Sequence, residues 1–530
     1  MEQTSTENRE VLPRWRALKM TPPQELAPSN FSNIPNEKHK AVLERLEREF
    51  NTSKELQGAA EIVEAAIVLG KSTYSIEAAK IVAADKDATK ELKYLASKVL
   101  DLEPAPLRQL NPPSSEKIQE KICATKAALS DRPRDGLLAL EIARLQFNIG
   151  QLNSAQKYAE RAVMTYPNNR YVLRSISCMF ATSDEAERAL YYLRRSDLVK
   201  SDPWVQAAEV AVCGQLNKSP QLTKYGIRDI KSSTRINVSM TELTAGLASL
   251  EFKSGNKKSA KKLMEQSMLA PNENSLAQLR WFQENREFAK NVFPLNAVPM
   301  AYEANAYEAV SEERIGDAVD FSECWLRDQP FQSRAAMLAS SLCISVLADR
   351  ERALNIVNEA LICAPDDMGL LNNKLVALSL LGQNHEAEKI LLSKISTPQN
   401  DEERLPFYHA AFGMVAFGNF DYEKGRNHYT DAIKAAAKAK NPELSLLAMS
   451  YWLERELEHK QISYASVQLL IKKVEDKIKK HTRLVKDIKP AWDAFKKRCD
   501  ALSGFVIQTP LDELYSIADI GLKSLDKSEV

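Results

Sequence analysis

Two distant stretches of the chain share a skeleton: GQLNSAQKYAERAVMTYPNN at residues 150–169 and GNKKSAKKLMEQSMLAPNEN at residues 255–274. Each carries a glycine, an alanine five positions later and a proline near its end. In the first stretch Ala155, Tyr158, Ala159, Ala162, Val163 and Tyr166 fall at helical spacing on one apolar stripe. The preceding residues, Leu137 to Ile149, are apolar at most positions, which predicts a helix buried on more than one side. Gly150 and Asn153 lie where one helix must end and the next begin, and Pro167 stops the second. The unit is a helical hairpin. Small side chains at its crossing let the two backbones approach closely.

The same template recurs. Ala353, Ile356, Val357, Ala360, Leu361 and Pro365 reproduce it, as do Gly382 with Ala387, and Ala318 with Trp325 and Pro330. Weaker copies carry Ala189 with Leu193 and Ser196, and Gly425 with Tyr429 and Ala432. The small residues stand at 155, 189, 260, 318, 353, 387 and 425, in steps of 34, 71, 58, 35, 34 and 38. The step of 71 implies a degenerate copy around Leu222 to Ile227. The step of 58 leaves room for an extra helix within residues 275–298.

A helix-turn-helix period near 34 with small crossing residues and a terminal proline resembles the tetratricopeptide repeat family over roughly residues 136–440. Ala155, Ala162 and Pro167 match the family's two small positions and proline in one copy; Ala353, Ala360 and Pro365 match them in another. The family's tryptophan and Leu-Gly pair are replaced by Ala139 and Ile142-Ala143. The resemblance implies an all-α fold, a right-handed superhelical α-solenoid of hairpins closed by a C-terminal capping helix. It also implies a non-catalytic scaffold that binds a protein or peptide, such as a toxin, nuclease or regulator, on a concave face lined by first helices. On the family's register Arg144, Asn148, Lys253, Asn372 and Asn373 enter that groove.

Composition agrees with a helical chain. Glycine supplies only 16 of 530 residues, against 44% hydrophobic and 27% charged residues, and helices do better without glycine than phosphate loops or tight strand turns do. A formal net charge of +1 gives no global case for nucleic acid or an anionic membrane. The start, MEQTSTENRE, lacks the apolar core of a secretory signal, and the uncharged, mostly apolar run from Ala335 to Ala348 is too short to span a bilayer. A cytoplasmic location is the expectation. Seven scattered cysteines without a CxxC pair read as reduced, small hydrophobic residues.

The ends differ from the array. Residues 1–35, with five prolines, predict an irregular arm, in which Val11 to Trp15 (VLPRW) forms an apolar cluster suited to folding back on the hairpins or to docking on a partner. The expected organisation continues with N-terminal hairpins at 36–110, repeats at 111–274, the insert at 275–298, repeats at 299–440 and a C-terminal helical region at 441–530. In the last, Tyr464, Val467, Ile471, Val474, Ile478, His481, Val485 and Ile488 predict one long seamed helix. Trp492, Phe495, Cys499 and Leu502 continue the spacing past Pro490, which should kink or split it.

Charge concentrates there. Between Lys472 and Arg498 eleven basic and four acidic residues give a local balance of +7, leaving −6 for the rest. Lys472, Lys473, Lys479, Lys480 and Arg483 form a basic patch, and the alternative function it suggests is a nucleic-acid-associated factor.

Catalytic and cofactor signatures are incomplete. GKST at residues 70–73 lacks the glycine of a phosphate loop, because Ala65 stands in its place; His385-Glu386 lacks the second histidine of a zinc protease, because Lys389 does. The six histidines show no metal-ligand spacing. Neither a cofactor nor a metal is expected.

Overall fold

A computed structural model describes residues 10–21, 36–69, 73–88, 90–100, 115–221, 230, 238–284, 298, 300–394, 405–478 and 482–502. The helices, in chain order, are α1 (Asn36–Ser53), α2 (Leu56–Leu69), α3 (Thr73–Ala84), α4 (Lys90–Val99), α5 (Ser115–Asp131), α6 (Gly136–Phe147), α7 (Leu152–Thr165) and α8 (Arg170–Thr182). Then come α9 (Ala186–Arg195), α10 (Pro203–Gln215), α11 (Val238–Lys253), α12 (Lys257–Ser267), α13 (Glu273–Glu284), α14 (Tyr302–Ser311), α15 (Ile315–Asp328) and α16 (Ser333–Leu342). The last eight are α17 (Arg350–Cys363), α18 (Met368–Leu380), α19 (Asn384–Lys394), α20 (Leu405–Gly418), α21 (Tyr422–Lys438), α22 (Pro442–Glu458), α23 (Tyr464–Ile478) and α24 (Thr482–Ala501). The described residues include no strand.

One backbone rule builds the hairpins. The residues at 155, 189, 260, 318, 353, 387 and 425 are each the fourth residue of a second helix (α7, α9, α12, α15, α17, α19 and α21), and all seven are buried. Five positions earlier the chain always turns through positive φ, at Gly150, Asp184, Gly255, Glu313, Ala348, Gly382 and Phe420. That left-handed residue ends the first helix, and the small residue then seats the second helix against it. Only three of the seven turns use glycine, so the remaining copies are fainter in sequence. The prolines act as expected: α7, α15 and α17 each stop two residues before Pro167, Pro330 and Pro365.

The chain divides into two compact units, Gln3–Glu308 with Arg327–Gln332, and Met1–Glu2 with Ala309–Leu326 and Ser333–Val530. In the first unit the first helices α8, α10, α11 and α13 pack side by side in sequence. Residues 170–181 of α8 and 203–214 of α10 are buried without interruption, so these helices have neighbours all round. Asp202 shows how a polar residue is kept there. It caps α10 by accepting from the amides of Trp204 and Val205, Pro203 occupies the first turn, and Arg170 Nε donates to its other oxygen at 2.7 Å.

In the second unit α16, α18, α20 and α22 pack in the same consecutive way. The expected single long helix at its end is instead two, α23 and α24, which fold back on each other antiparallel. Tyr464 donates to Asp500 at 2.6 Å and Lys496 to Glu475 at 2.8 Å. The apolar seam explains this correction: Val467, Ile471 and Val474 of α23 and Trp492, Phe495 and Cys499 of α24 enter one core with Met449, Trp452 and Leu453 of α22. Pro490 lies inside α24 and does not split it. The predicted copy at Leu222 to Ile227 and GKST up to Ser72 lie outside the described residues, as do residues 285–297 of the 275–298 insert; its start is helical within α13.

Candidate functional site

The arm is where the fold departs from a bare array. Residues 10–17 form no helix, since Pro13 has no amide hydrogen to give and disfavours helix in its predecessor. A short 3-10 turn, Leu18–Met20, follows. The VLPRW cluster does fold back, onto the first helices of the first unit.

Side chains from the helices hold the arm's main chain. The Val11 amide donates to Gln278 Oε1 at 3.3 Å and the Trp15 amide to Gln329 Oε1 at 3.0 Å. Asn274 Nδ2 donates to the Leu12 carbonyl at 3.5 Å, and the Tyr171 hydroxyl to the Arg16 carbonyl at 2.7 Å. These clasps satisfy backbone groups that have no secondary-structure partner, and they would grip any extended segment whatever its side chains.

Side chains then read identity. Trp15, 1% exposed, sits between Phe147 and Phe331, with ring centroids 6.1 and 5.9 Å away. Burying an indole removes roughly 200 Å² from water, worth about 5 kcal/mol as an upper estimate. The flanking arginines meet three carboxylates. Arg16 is forked twice: Nη1 and Nη2 reach Glu273, Nη1 at 2.9 Å, while Nε and Nη2 reach Asp328 at 2.6 and 2.7 Å. Arg14 Nη2 donates to Glu303 at 3.1 Å, and its Nε lies 3.1 Å from Glu273.

Burial opposes the Arg16 cation, but the facing Asp328 and Glu273 carboxylates outweigh it and hold its pKa well above the ordinary value. At the arm's other end, burial outweighs Lys253 and raises the Glu10 pKa, although Lys253 Nζ donates to Glu10 Oε1 at 2.7 Å. A cavity of only about 20 Å³ remains under Glu10, Val11 and Pro13, room for a single water.

Of the residues expected in the groove, Lys253 pairs with the arm through Glu10. Arg144 is engaged by Glu141, donating through Nε and Nη2 at 2.8 Å each. Glu141 also accepts from Lys121 at 2.7 Å; burial works against the Glu141 carboxylate, yet Arg144 and Lys121 bring its pKa down to about 2. Asn148 closes the end of α6, its amide donating to the Arg144 carbonyl. Asn372 and Asn373 lie in the second unit on α18, half-buried; Asn373 Nδ2 donates to Ser340 and Ser341 hydroxyls at 2.9 and 3.2 Å. Arg144, Asn148 and Lys253 thus lie in the first unit, and Asn372 and Asn373 in the second.

The basic patch is partly described. Lys472 is exposed and Lys473 half-buried on α23, whereas Lys479, Lys480 and the Arg483 side chain lie outside the described residues. Other cations of that stretch are used internally. Arg498 donates to both oxygens of Glu454 at 2.9 and 3.0 Å and to the Ser345 carbonyl at 2.9 Å; Lys496 pairs with Glu475 and Asp493, and Lys489 lies 3.6 Å from Glu313.

Glu273, Glu303, Asp328, Gln278 and Gln329 were not foreseen. Each is an ordinary polar residue of a helix or turn, and only the stacking of hairpins brings them together. The one signal was PRWR itself, two arginines about a tryptophan in an arm otherwise polar and proline-rich.

Each unit is thus an all-α solenoid of tandem, tetratricopeptide-like helical hairpins, and the first unit holds an extended segment across its first helices. No protein-family model matches the sequence, and no curated protein does. Among solved structures, the chain is similar to one in the crystal structure of the APC/C hetero-tetramer Cut9-Hcn1, at 13% identity and a TM-score of 0.36, over 96% of this chain and 97% of that one. It is also similar to the P58(IPK) TPR domain, at 13% identity and a TM-score of 0.22, over 74% of this chain and 98% of that one.

Proposed function

We propose that the chain is a non-catalytic protein-protein interaction scaffold that binds a protein or peptide partner on the faces of its first helices. The observation that carries this reading is the seat of the arm. The first helices, with the end of α15 and the turn after it, offer Asn, Gln and Tyr side chains to an extended main chain, and carboxylates and aromatic rings to its side chains. That is the equipment of a peptide receptor. Asn372 and Asn373 mark the corresponding first-helix face in the second unit.

The alternative, nucleic-acid binding through the basic stretch, is less well supported. Lys489, Lys496 and Arg498 already face carboxylates of the chain, which lowers the free positive charge available to phosphates.

Quantitative affinity capture from the native host tests the reading with three full-length chains: wild type, Asn372→Ala/Asn373→Ala and Arg16→Glu. A specific partner should change in yield at least threefold in one of the two variants. Identical partner sets and yields from all three folded chains would contradict it.

A further inference from the structure

We propose that the first-unit groove is a receptor for an extended segment of a partner protein in which an aromatic residue is flanked by two arginines, and that residues 10–17 are a tethered competitor for the same seat. The inference rests on the scaffold reading above and specifies the ligand.

Three observations lead to it. The arm enters as a ligand does, without helix and through clasps supplied by the receptor's side chains. The receptor helices have their own hairpin crossings and turns, at Ala155 with Gly150, Ala189 with Asp184 and Ala260 with Gly255, none of which includes the arm. The charge of the seat is also decisive. Without an occupant, Glu273 and Asp328, which one guanidinium bridges, would be two carboxylates facing each other around Arg16's position. Such a site disfavours vacancy and selects a cation.

The cation is a guanidinium rather than an ammonium. Arg16 lies between two carboxylates and gives each a pair of N–H groups, a planar arrangement that a lysine cannot reproduce. Between the arginines the occupant must place a flat aromatic side chain against Phe147 and Phe331. The source is a different protein and not a second copy, because a second copy's arm is already satisfied in its own groove and an exchange gains no contact. Competition is built in by attachment: residues 10–17 belong to the same chain as the groove, so an entering partner competes with an intramolecular ligand.

The test uses the full-length chain and a fluorescein-labelled peptide of residues 9–21, read by anisotropy. The Trp15→Ala/Arg16→Glu chain should bind the peptide at least tenfold more tightly than wild type. Replacing Arg16 by Lys in the peptide should weaken its binding to that chain at least tenfold, and adding Glu273→Lys to the chain should abolish it. If the double variant does not fold alone, the peptide added in trans should restore its folding, seen as a recovered cooperative melt. A folded variant that ignores the peptide, equal binding by wild type and variant, or an unfolded variant that the peptide cannot rescue would each overturn the proposal. So would a wild-type dimer that Arg16→Glu dissolves. None of these failures touches the capture result for Asn372 and Asn373, which tests the scaffold reading separately.

Discussion

Gly425 and Gly316 both lie inside second helices, yet a methyl group has opposite consequences at the two. At Gly425 a Cβ would stand 2.5 Å from the ring of Phe417, itself fully buried, whereas at Gly316 it would meet nothing within 4 Å. Gly425→Ala should therefore destabilise the second unit by about 1–3 kcal/mol despite its better helix propensity. Gly316→Ala should be neutral or stabilise by up to about 1 kcal/mol. Chemical denaturation of the two variants checks both signs.

The left-handed turn residues make a second contrast. Ala348 holds φ of 56°, where an L side chain is strained by roughly 1 kcal/mol or more. Ala348→Gly should raise the melting temperature, and Gly382→Ala, at φ of 76°, should lower it.

The histidine pair at the crossing of α20 and α21 gives a pH dependence. His409 Nδ1 and His428 Nδ1 lie 3.5 Å apart. Burial lowers both pKa values, helped at His428 by His409 and Lys424 and opposed at both by Asp431. A folded pKa below the unfolded one means stability that is complete above about pH 6.5 and is lost as the pH falls through the folded values. The melting temperature should fall from pH 7.5 to pH 5.5, and the His409→Gln/His428→Gln chain should show a shallower fall.

At the scale of the element, the arm is buried and paired enough for its loss to be costly. Trp15→Ala should destabilise the first unit by about 3–5 kcal/mol through the cavity it leaves. Arg16→Ala should cost a similar amount by stranding Glu273 and Asp328. Denaturation followed by first-unit probes should register both, while Gly425→Ala acts on the second unit.

Elements also show how much of the molecule can be read from its residues. The hairpins were legible because a small residue at the fourth position of the second helix is a steric necessity, and sterics leave a mark on composition. Their turns were legible only where glycine fills the left-handed position; Asp184, Glu313, Ala348 and Phe420 leave no such mark. The seam from Tyr464 to Leu502 was legible as apolar spacing but not as two helices, since a heptad-like stripe serves a folded-back pair as well as one long rod. The groove was the least legible. Clasping residues such as Gln278 and Gln329 look like any solvated helix or turn residue, and their role exists only after hairpins far apart in sequence have stacked.

At the scale of the whole molecule, residues 10–21 and the described part of the basic C-terminal stretch each pack against hairpins of their own unit. The basic C-terminal stretch joins the second unit through Arg498, Lys496 and Lys489, and the arm joins the first through Arg14 and Arg16. A near-neutral net charge thus conceals local matches of arginines and lysines in these two stretches with carboxylates of the hairpins. The scaffold's regulation would follow from this matching, because whatever enters the first-unit groove must displace a segment of the same chemistry.

The central claim is that residues 10–17 are seated in the groove as a peptide ligand, and native-state hydrogen exchange tests it most directly. In the wild-type chain the amides of Val11 and Trp15, bonded to Gln278 and Gln329, should exchange as slowly as those of a packed element despite lying in no helix. In the Arg16→Glu chain that protection should be lost, with faster exchange spreading to the elements the arm touches, α6, α8, α11, α13, α14 and the end of α15. An arm that exchanges at the unprotected rate in the wild-type chain would contradict the account.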